Sequence, residues 1–452
     1  MPELPEITER TIASLLERVP RGSFVGGAWT SGTPALDVID PATGEVLTQV
    51  IDADAATTGT QALDAAVAAQ DAWAATLPRE RSEILRRAYG LCHERADDLA
   101  LAMTLEMGKP LGEAYGEVTY GAEFLRWFSE EAVRLPGRMR PAPAAEATVV
   151  ATSRPVGPVL AITPWNFPLS MGTRKIAPAL AAGCTVVLKP ATATPLTSQL
   201  LMEILVDAGV PDGVVNCVVT SDAKGLSSTL MADDRLRKVS FTGSTGVGKV
   251  LLRQAADNVL RTSMELGGNA AFLVLPSADV DTAVEAAVPA KFRNNGEACT
   301  AANLFYVHSS VAEEFTHSLA ERTKALVPGP GIDRSTTIGP LIDEAAVAQV
   351  EELVADAVER GARVLVGGQR LDRPGFFYAP TVLADVPADA RVTREEIFGP
   401  VAPIIVMDDV EEMIAAANRT EFGLMSYVMA EDLAEMTRAV QGIESGMVAV
   451  NL

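Results

Sequence analysis

From Val156 onward, short apolar runs alternate with helical stretches, and this alternation constrains the fold more than any other feature of the chain. Val159 to Thr163, Thr185 to Leu188, Val214 to Val219 and Lys238 to Phe241 read as strands. Met171 to Ala182, Thr197 to Ala208 and Ala223 to Met231 read as the helices between them. Parallel strands need a long crossover, usually a helix, so the pattern predicts an α/β class fold: a doubly wound sheet covered on both faces. The same style continues less regularly, with strands at Ala271 to Leu275 and Leu304 to His308 and helices near Val280 to Arg293, Val311 to Leu326 and Glu344 to Arg360. A second α/β domain is therefore expected, with its boundary near Gly267 and Gly268.

Ahead of this region, residues 1 to 60 are rich in Gly, Pro and Thr and predict an arm with small strands. Ala62 to Arg134 predicts helices. Arg81 to Met107 reads as one amphipathic helix, with Ile84, Leu85, Ala88, Leu91 and Leu99 on its apolar face and Gly108-Lys109-Pro110 as its stop. Pro136 to Arg154 is a proline-rich turn followed by an alternating segment. It reads either as a β-ribbon suited to contact between subunits or as a flexible linker.

Composition removes several function classes. With 59 acidic and 37 basic residues the net charge is −22, which repels nucleic acid and anionic membrane surfaces. Cys92, Cys184, Cys217 and Cys299 show no paired spacing, so neither a disulfide framework nor a metal site is expected. The acidic N-terminus lacks the order of a secretory signal, and no apolar run is long enough to span a bilayer, which together predict a cytoplasmic protein.

Several short segments are suited to chemistry. Cys299 lies among Gly296, Ala298, Thr300 and Ala301, an uncrowded setting for a working thiol. Phe241 to Lys249 is a glycine loop following a strand, and backbone amides there can approach phosphate. Val250 stands where a nucleotide triphosphatase needs a magnesium-binding hydroxyl, and Gly243, Gly246 and Gly248 do not have the GxGxxG spacing. Thr163, Pro164, Trp165 and Asn166 leave a strand at the sheet edge where α/β proteins bind ligands, and Asn166 offers a neutral amide donor, or a helix cap. Lys189 ends a strand within reach of a ribose or phosphate. Glu265, before Gly267 and Gly268, is a candidate general base. Glu395 and Glu396 are candidates for binding a sugar hydroxyl. Each of these also has a purely structural reading.

Taken in order, PWNFP from Pro164, LKPATATP from Leu188, FTGSTGVGK from Phe241, MELGGN from Met264, the Cys299 segment and EEIFGPV from Glu395 resemble the aldehyde dehydrogenase superfamily. The resemblance implies two doubly wound α/β domains plus a small ribbon for oligomerisation. Residues 1–135 and 155–266 would bind the dinucleotide, 136–154 form the ribbon, and 267–452 form the catalytic domain. It implies Cys299 as nucleophile, Asn166 as oxyanion donor, Glu265 as the base for deacylation and Lys175 in support. Thr163, Pro164, Trp165, Lys189, Thr192, Gly243, Ser244, Glu396 and Phe398 match positions that contact the cofactor. Thr192 stands where NAD-preferring relatives often carry glutamate, so NADP is expected, with NAD also accommodated. Arg174 and Arg293 match the arginines with which succinate-semialdehyde dehydrogenases hold the distal carboxylate. Glutarate semialdehyde or a broader set of aliphatic aldehydes is the alternative substrate, and a homodimer or homotetramer is the expected assembly.

The chain also departs from the family pattern. Glu297 replaces the usual Gln two residues before the nucleophile, and a charge there is expected to raise the thiol's pKa if it points inward. Ala301 removes the second cysteine that some succinate-semialdehyde enzymes carry. The family usually continues past Leu452 with a segment near the substrate site, and an inactive cofactor-binding or structural chain is the corresponding alternative.

Overall fold

The computed structural model describes residues 4–452. A first seven-stranded sheet contains, in spatial order, Arg261–Glu265, Lys238–Thr242, Val159–Ile162, Val186–Lys189, Val215–Cys217, Phe24–Val25 and Ala28–Trp29. The five strands from residue 159 onward run parallel, and the two N-terminal strands add an antiparallel edge. Pro168–Ala181, Leu196–Asp207 and Ala223–Ala232 supply the crossovers. After Val215–Cys217 the chain returns to the far side of Val159–Ile162, so the strand order reverses between Val159–Ile162 and Lys238–Thr242. The crevice beyond the carboxyl ends of strands at such a reversal is where α/β sheets bind ligands.

A second seven-stranded sheet runs Arg363–Val366, Thr381–Ala384, Val401–Met407, Ala302–His308, Ala270–Val274, Met425–Met429 and Met447–Val450. Only Arg363–Val366 is antiparallel to its neighbour. Both sheets are lined by buried Val, Leu, Ile and Phe, as parallel strands covered on both faces require.

The segment before residue 156 differs from expectation in three places. Glu9–Arg18 is a helix rather than arm or strand, capped by the Thr8 hydroxyl on the Thr11 amide. The next helix starts at Ala55, seven residues earlier than expected, because the Asp54 carboxylate accepts the Thr57 amide at 2.7 Å and fixes the first turn there. The stretch expected as one helix from Arg81 to Met107 is two, Pro78–Glu94 and Ala96–Met107, broken at Arg95. Gly108 then ends the second at φ 92°, a conformation that costs glycine little. Gly137–Pro141 and Thr148–Thr152 pair as an antiparallel ribbon, exposed along both strands.

Several elements after residue 360 have no counterpart in the sequence reading, including the strand Val401–Met407 and the helices Val410–Asn418 and Leu433–Gly442. Among the described residues no helix is long and apolar enough to cross a membrane.

Candidate functional site

Register places one row of groups along the carboxyl edge of the first sheet. Thr242 pairs with Glu265, Phe241 with Ile162, and Ile162 with Lys189, so Glu265, Gly243, Thr163 and Lys189 lie side by side. Beside this row lies a cavity of about 530 Å³ whose wall includes Pro164, Trp165, Asn166, Gly243, Ser244, Cys299, Glu396 and Phe398. Eight residues singled out from the sequence, drawn from four separate segments, thus share one wall. Thr163, Lys175, Lys189, Thr192, Glu265, Arg174 and Arg293 do not line it.

Cys299 reaches this wall through a sharp change of direction. The helix Val280–Phe292 ends one residue before its expected close, and Asn294, Asn295 and Gly296 follow at φ 56°, 60° and 77°. Asparagine tolerates this left-handed region better than other residues with a side chain, so Asn-Asn-Gly turns the chain where a regular helix would continue. Asn295 fastens the turn: its Nδ2 donates to the Pro340 carbonyl at 2.7 Å and its Oδ1 accepts the Gly339 amide at 2.6 Å. Gly268 packs so closely on the Cys299 carbonyl that a side chain there would collide with it. Beyond the cysteine, the Tyr427 hydroxyl donates to the Thr300 carbonyl at 2.7 Å.

Burial pushes the Cys299 thiol above its ordinary range; the nearby Glu396 and Glu265 add to the shift and Arg174 opposes it. The condition set for Glu297, a charge pointing inward to the thiol, is not met by the contacts it makes. It is fully buried away from the thiol, its Oε1 accepts the Ile342 amide at 3.0 Å, and desolvation holds its carboxyl well above the usual range. Desolvation thus works against a charge at this position. The charges that disfavour the thiolate are therefore those of Glu396 and Glu265.

A pH prediction follows from the sign of this shift. In the ligand-free protein the thiolate fraction should be smaller than that of a free cysteine at neutral pH and should grow about tenfold per pH unit as pH rises. Burial pushes the Cys92 and Cys217 thiols up to about 12 and also encloses Cys184, so iodoacetamide labelling read by peptide mapping reports mainly on Cys299. The expected profile keeps climbing to at least pH 9.0, the ordinary thiol value. A plateau near neutrality would contradict it.

Asn166 is buried, and its Nδ2 donates to the Glu297 carbonyl at 3.0 Å. An amide nitrogen carries two hydrogens, so one remains for a ligand. Trp165 meets Phe398 edge to face, with centroids 5.5 Å apart. Phe398 itself has φ 49°, a strained value for an aromatic residue. The loop that carries it is tied to the nucleophile segment through Asn303, whose Oδ1 accepts the Ile397 amide at 3.0 Å and whose Nδ2 donates to the Glu395 carbonyl at 3.1 Å. Glu396 accepts the Gly268 amide at 2.9 Å, and burial raises its carboxyl to about 7. Glu395 also borders the cavity, but its carboxylate pairs with Arg391 at the surface.

Ser244 caps the helix Thr245–Asp257 and lies at the cavity wall, so first-turn amides of that helix and the adjacent Gly243 backbone present donors suited to a pyrophosphate. Gly246, with open space around its Cα, leaves room for such a group. Lys189 Nζ donates to the Pro190 carbonyl at 2.8 Å and to Thr192 Oγ1 at 3.4 Å, and burial lowers it to about 8. These donors fit an extended dinucleotide.

Lys175 Nζ donates to Ser240 Oγ at 3.2 Å; burial lowers it to about 8, an effect the Glu265 carboxylate partly offsets. Glu265 is exposed at the end of its strand. Arg174 stacks on Phe124 at 4.9 Å and on Tyr120 at 5.7 Å, and hydrogen-bonds the Tyr120 hydroxyl. Arg293 stacks on Phe167 at 5.6 Å.

Sequence reading missed a buried charge cluster beneath Asn166. Lys109 and Glu117 form an ion pair with almost no exposure, and Lys109 also donates to the Asn166 carbonyl at 2.8 Å. Glu113 accepts the Asn294 amide at 2.6 Å. The available signal was the spacing of Glu113 and Glu117, which puts both carboxylates on one face of the helix Leu111–Glu131, next to the buried Ala114 and Val118.

The sequence pattern of the aldehyde dehydrogenase family matches residues 29–452. A succinate-semialdehyde dehydrogenase of Paenarthrobacter nicotinovorans is 56% identical over 390 residues, 86% of this chain and 87% of that protein. The Escherichia coli protein named succinate-semialdehyde dehydrogenase (NADP(+)) GabD is 47% identical over 431 residues, 95% of this chain and 89% of that one. A glutarate-semialdehyde dehydrogenase of Pseudomonas aeruginosa is 46% identical over 431 residues, again 95% and 89%. A family match that covers the second sheet, all five parallel strands of the first and every segment of the cavity wall, together with relatives near half identity along the chain, makes this protein a member of the aldehyde dehydrogenase family.

Proposed function

We propose that the protein oxidises succinate semialdehyde to succinate, with NADP as its preferred cofactor and NAD as a second acceptor. One observation carries this reading most: Cys299, Asn166, the Gly243-Ser244 turn and Glu396 share a cavity, and Arg174 is close enough to the thiol to bias its ionisation. The relative at 56% identity bears the succinate name and the one bearing the glutarate name is at 46%, which favours succinate semialdehyde.

In this reading the Cys299 thiolate adds to the aldehyde carbon. The free N–H of Asn166 Nδ2 and the Cys299 backbone amide hold the oxyanion that forms; donors of this kind supply roughly 100- to 1000-fold in rate. When bound, the nicotinamide accepts the hydride. Glu265 then takes a proton from water, which attacks the thioester left on Cys299, releases succinate and restores the thiol. Lys175 lies close enough to Glu265 for the carboxylate to favour its ammonium form. Ser244 and Gly243 hold the pyrophosphate, while Glu396, Phe398 and the Thr163-Pro164-Trp165 wall hold the nicotinamide end. Lys189 and Thr192 sit at the adenosine end, where the absence of a carboxylate at 192 and the cation at 189 suit a 2′-phosphate.

Arg174 and Arg293 grip the distal carboxylate, and guanidinium is well matched to it. The test is selective: Arg293→Ala should lower kcat/KM for succinate semialdehyde about 10- to 100-fold while changing an uncharged aldehyde of similar length several-fold at most. Equal losses on both would remove carboxylate recognition from Arg293. Running the wild type against glutarate semialdehyde in the same assay separates the two chain lengths.

The first sheet, with residues 1–135 and 155–266, serves as the dinucleotide-binding unit in this reading, and 267–452 as the catalytic unit. The ribbon at 136–154 is proposed as the contact of a homodimer or homotetramer in the cytoplasm, supported by Met139 at 78% and Val150 at 64% exposure on its strands.

A further inference from the structure

We infer that Lys109 is a positioning residue for the reaction: its buried ammonium, paired with Glu117, fixes the Asn166 peptide and thereby aims the Asn166 side-chain amide. The inference rests on the oxyanion role proposed for Asn166.

The geometry is a closed ring. Lys109 Nζ donates to the Asn166 carbonyl at 2.8 Å, pairs with Glu117 Oε2 and stands 4.3 Å from the centre of the Phe167 ring. The other oxygen of Glu117 accepts the amides of Leu169 and Ser170 at 3.0 and 3.1 Å. One ion pair therefore holds the peptide carbonyl of Asn166 and also the first turn of the helix Pro168–Ala181 that follows it. Asn294 Nδ2 donates to the same Asn166 carbonyl at 3.1 Å and to the Glu297 carbonyl at 2.9 Å. Asn166 Nδ2 closes the ring on that Glu297 carbonyl at 3.0 Å. The Asn166 carbonyl is thus held by two donors and one of the two side-chain amide hydrogens is engaged, so the direction of the remaining hydrogen is set by groups that do not line the cavity.

A stability role alone explains this arrangement poorly. Burying two charges costs roughly what their attraction returns, so a buried ion pair contributes little net stability. What it does provide is orientation, and a donor displaced by about 1 Å can cost on the order of 100-fold in rate.

The test is a double-mutant cycle on the full-length protein, with NADPH formation as readout. Lys109→Met together with Glu117→Gln removes both charges, so that neither is stranded. This pair should lower kcat about 100-fold and leave KM for succinate semialdehyde and the affinity for NADP nearly unchanged. In an Asn166→Ala background the same pair should cost nothing further, because the group it aims is gone. Lys109→Arg, with Glu117 intact, should recover part of the rate. Should the charge-pair variant fail to fold, Asn294→Gly carries the cycle instead: glycine accepts φ 56°, the second donor on the Asn166 carbonyl is lost, and about a tenfold loss is expected. Equal losses in both backgrounds, or unchanged kcat in the charge-pair variant, overturn the inference alone. An Asn166→Ala protein with unchanged kcat overturns the oxyanion reading and this inference with it.

Discussion

Cys299→Ala is expected to lower the oxidation of succinate semialdehyde at least about 10⁴-fold, with NADP binding retained. The expectation comes from what the remaining residues can still do. Asn166, the glycine turn and Glu396 would continue to bind and orient, but no other nucleophile can replace the thiol. Cys92, Cys184 and Cys217 are buried elsewhere, and the cavity wall carries Ser244 as a helix cap rather than as an activated hydroxyl. Alanine removes one sulfur from a half-buried position beside Gly268 and leaves the Asn-Asn-Gly turn untouched, so folding should survive. Equilibrium binding of NADP by the variant, measured by quenching of tryptophan fluorescence, separates loss of chemistry from loss of structure. Retained oxidation by a folded variant would refute the assignment of the nucleophile.

The second large effect concerns Glu265. Glu265→Gln should leave the first half of the reaction intact and block the second, so that one equivalent of NADPH per active site appears rapidly and the steady rate falls about 10²- to 10⁴-fold. The position makes this reasonable. Glu265 ends an edge strand, in register with Thr242 and directly before the Leu266-Gly267 stretch that lines the cavity, and its charge is felt by both Cys299 and Lys175. An exposed carboxylate at a strand end has room to swing toward a water near the thioester. Stopped-flow measurement of the burst distinguishes this from a defect in acylation, in which the burst itself would slow.

Much of this site was legible before the structure because its chemistry sits in loops at strand ends. Cys299 stood out by its small neighbours, the glycine loop by its place after a strand, and Asn166 by its exit from Ile162; all three reach the same cavity. Arg174 and Arg293 each stack on an aromatic ring, which the sequence did not indicate. What stayed hidden is what depends on burial of charge. Lys109 looks like a solvated residue between helices and Glu113 and Glu117 like solvated residues on a helix surface, and the packing of Leu111–Glu131 against Pro168–Ala181 places them inside. The surroundings of Glu297 were hidden for the same reason: it is buried and bonded to the Ile342 amide, where desolvation works against its charge. In the fold, the helices of the first sheet were read to within a few residues because their apolar spacing is regular. The break at Arg95 went unseen because the apolar pattern runs on across it.

The most direct test of the account is to mix the Glu265→Gln protein with succinate semialdehyde and NADP, quench at acid pH, and map the peptides by mass spectrometry. The account predicts one succinyl group, carried as a thioester on the peptide that contains Cys299, formed in step with the burst of NADPH and absent without NADP. A burst with no acyl group on Cys299, or an acyl group on another residue, would contradict it.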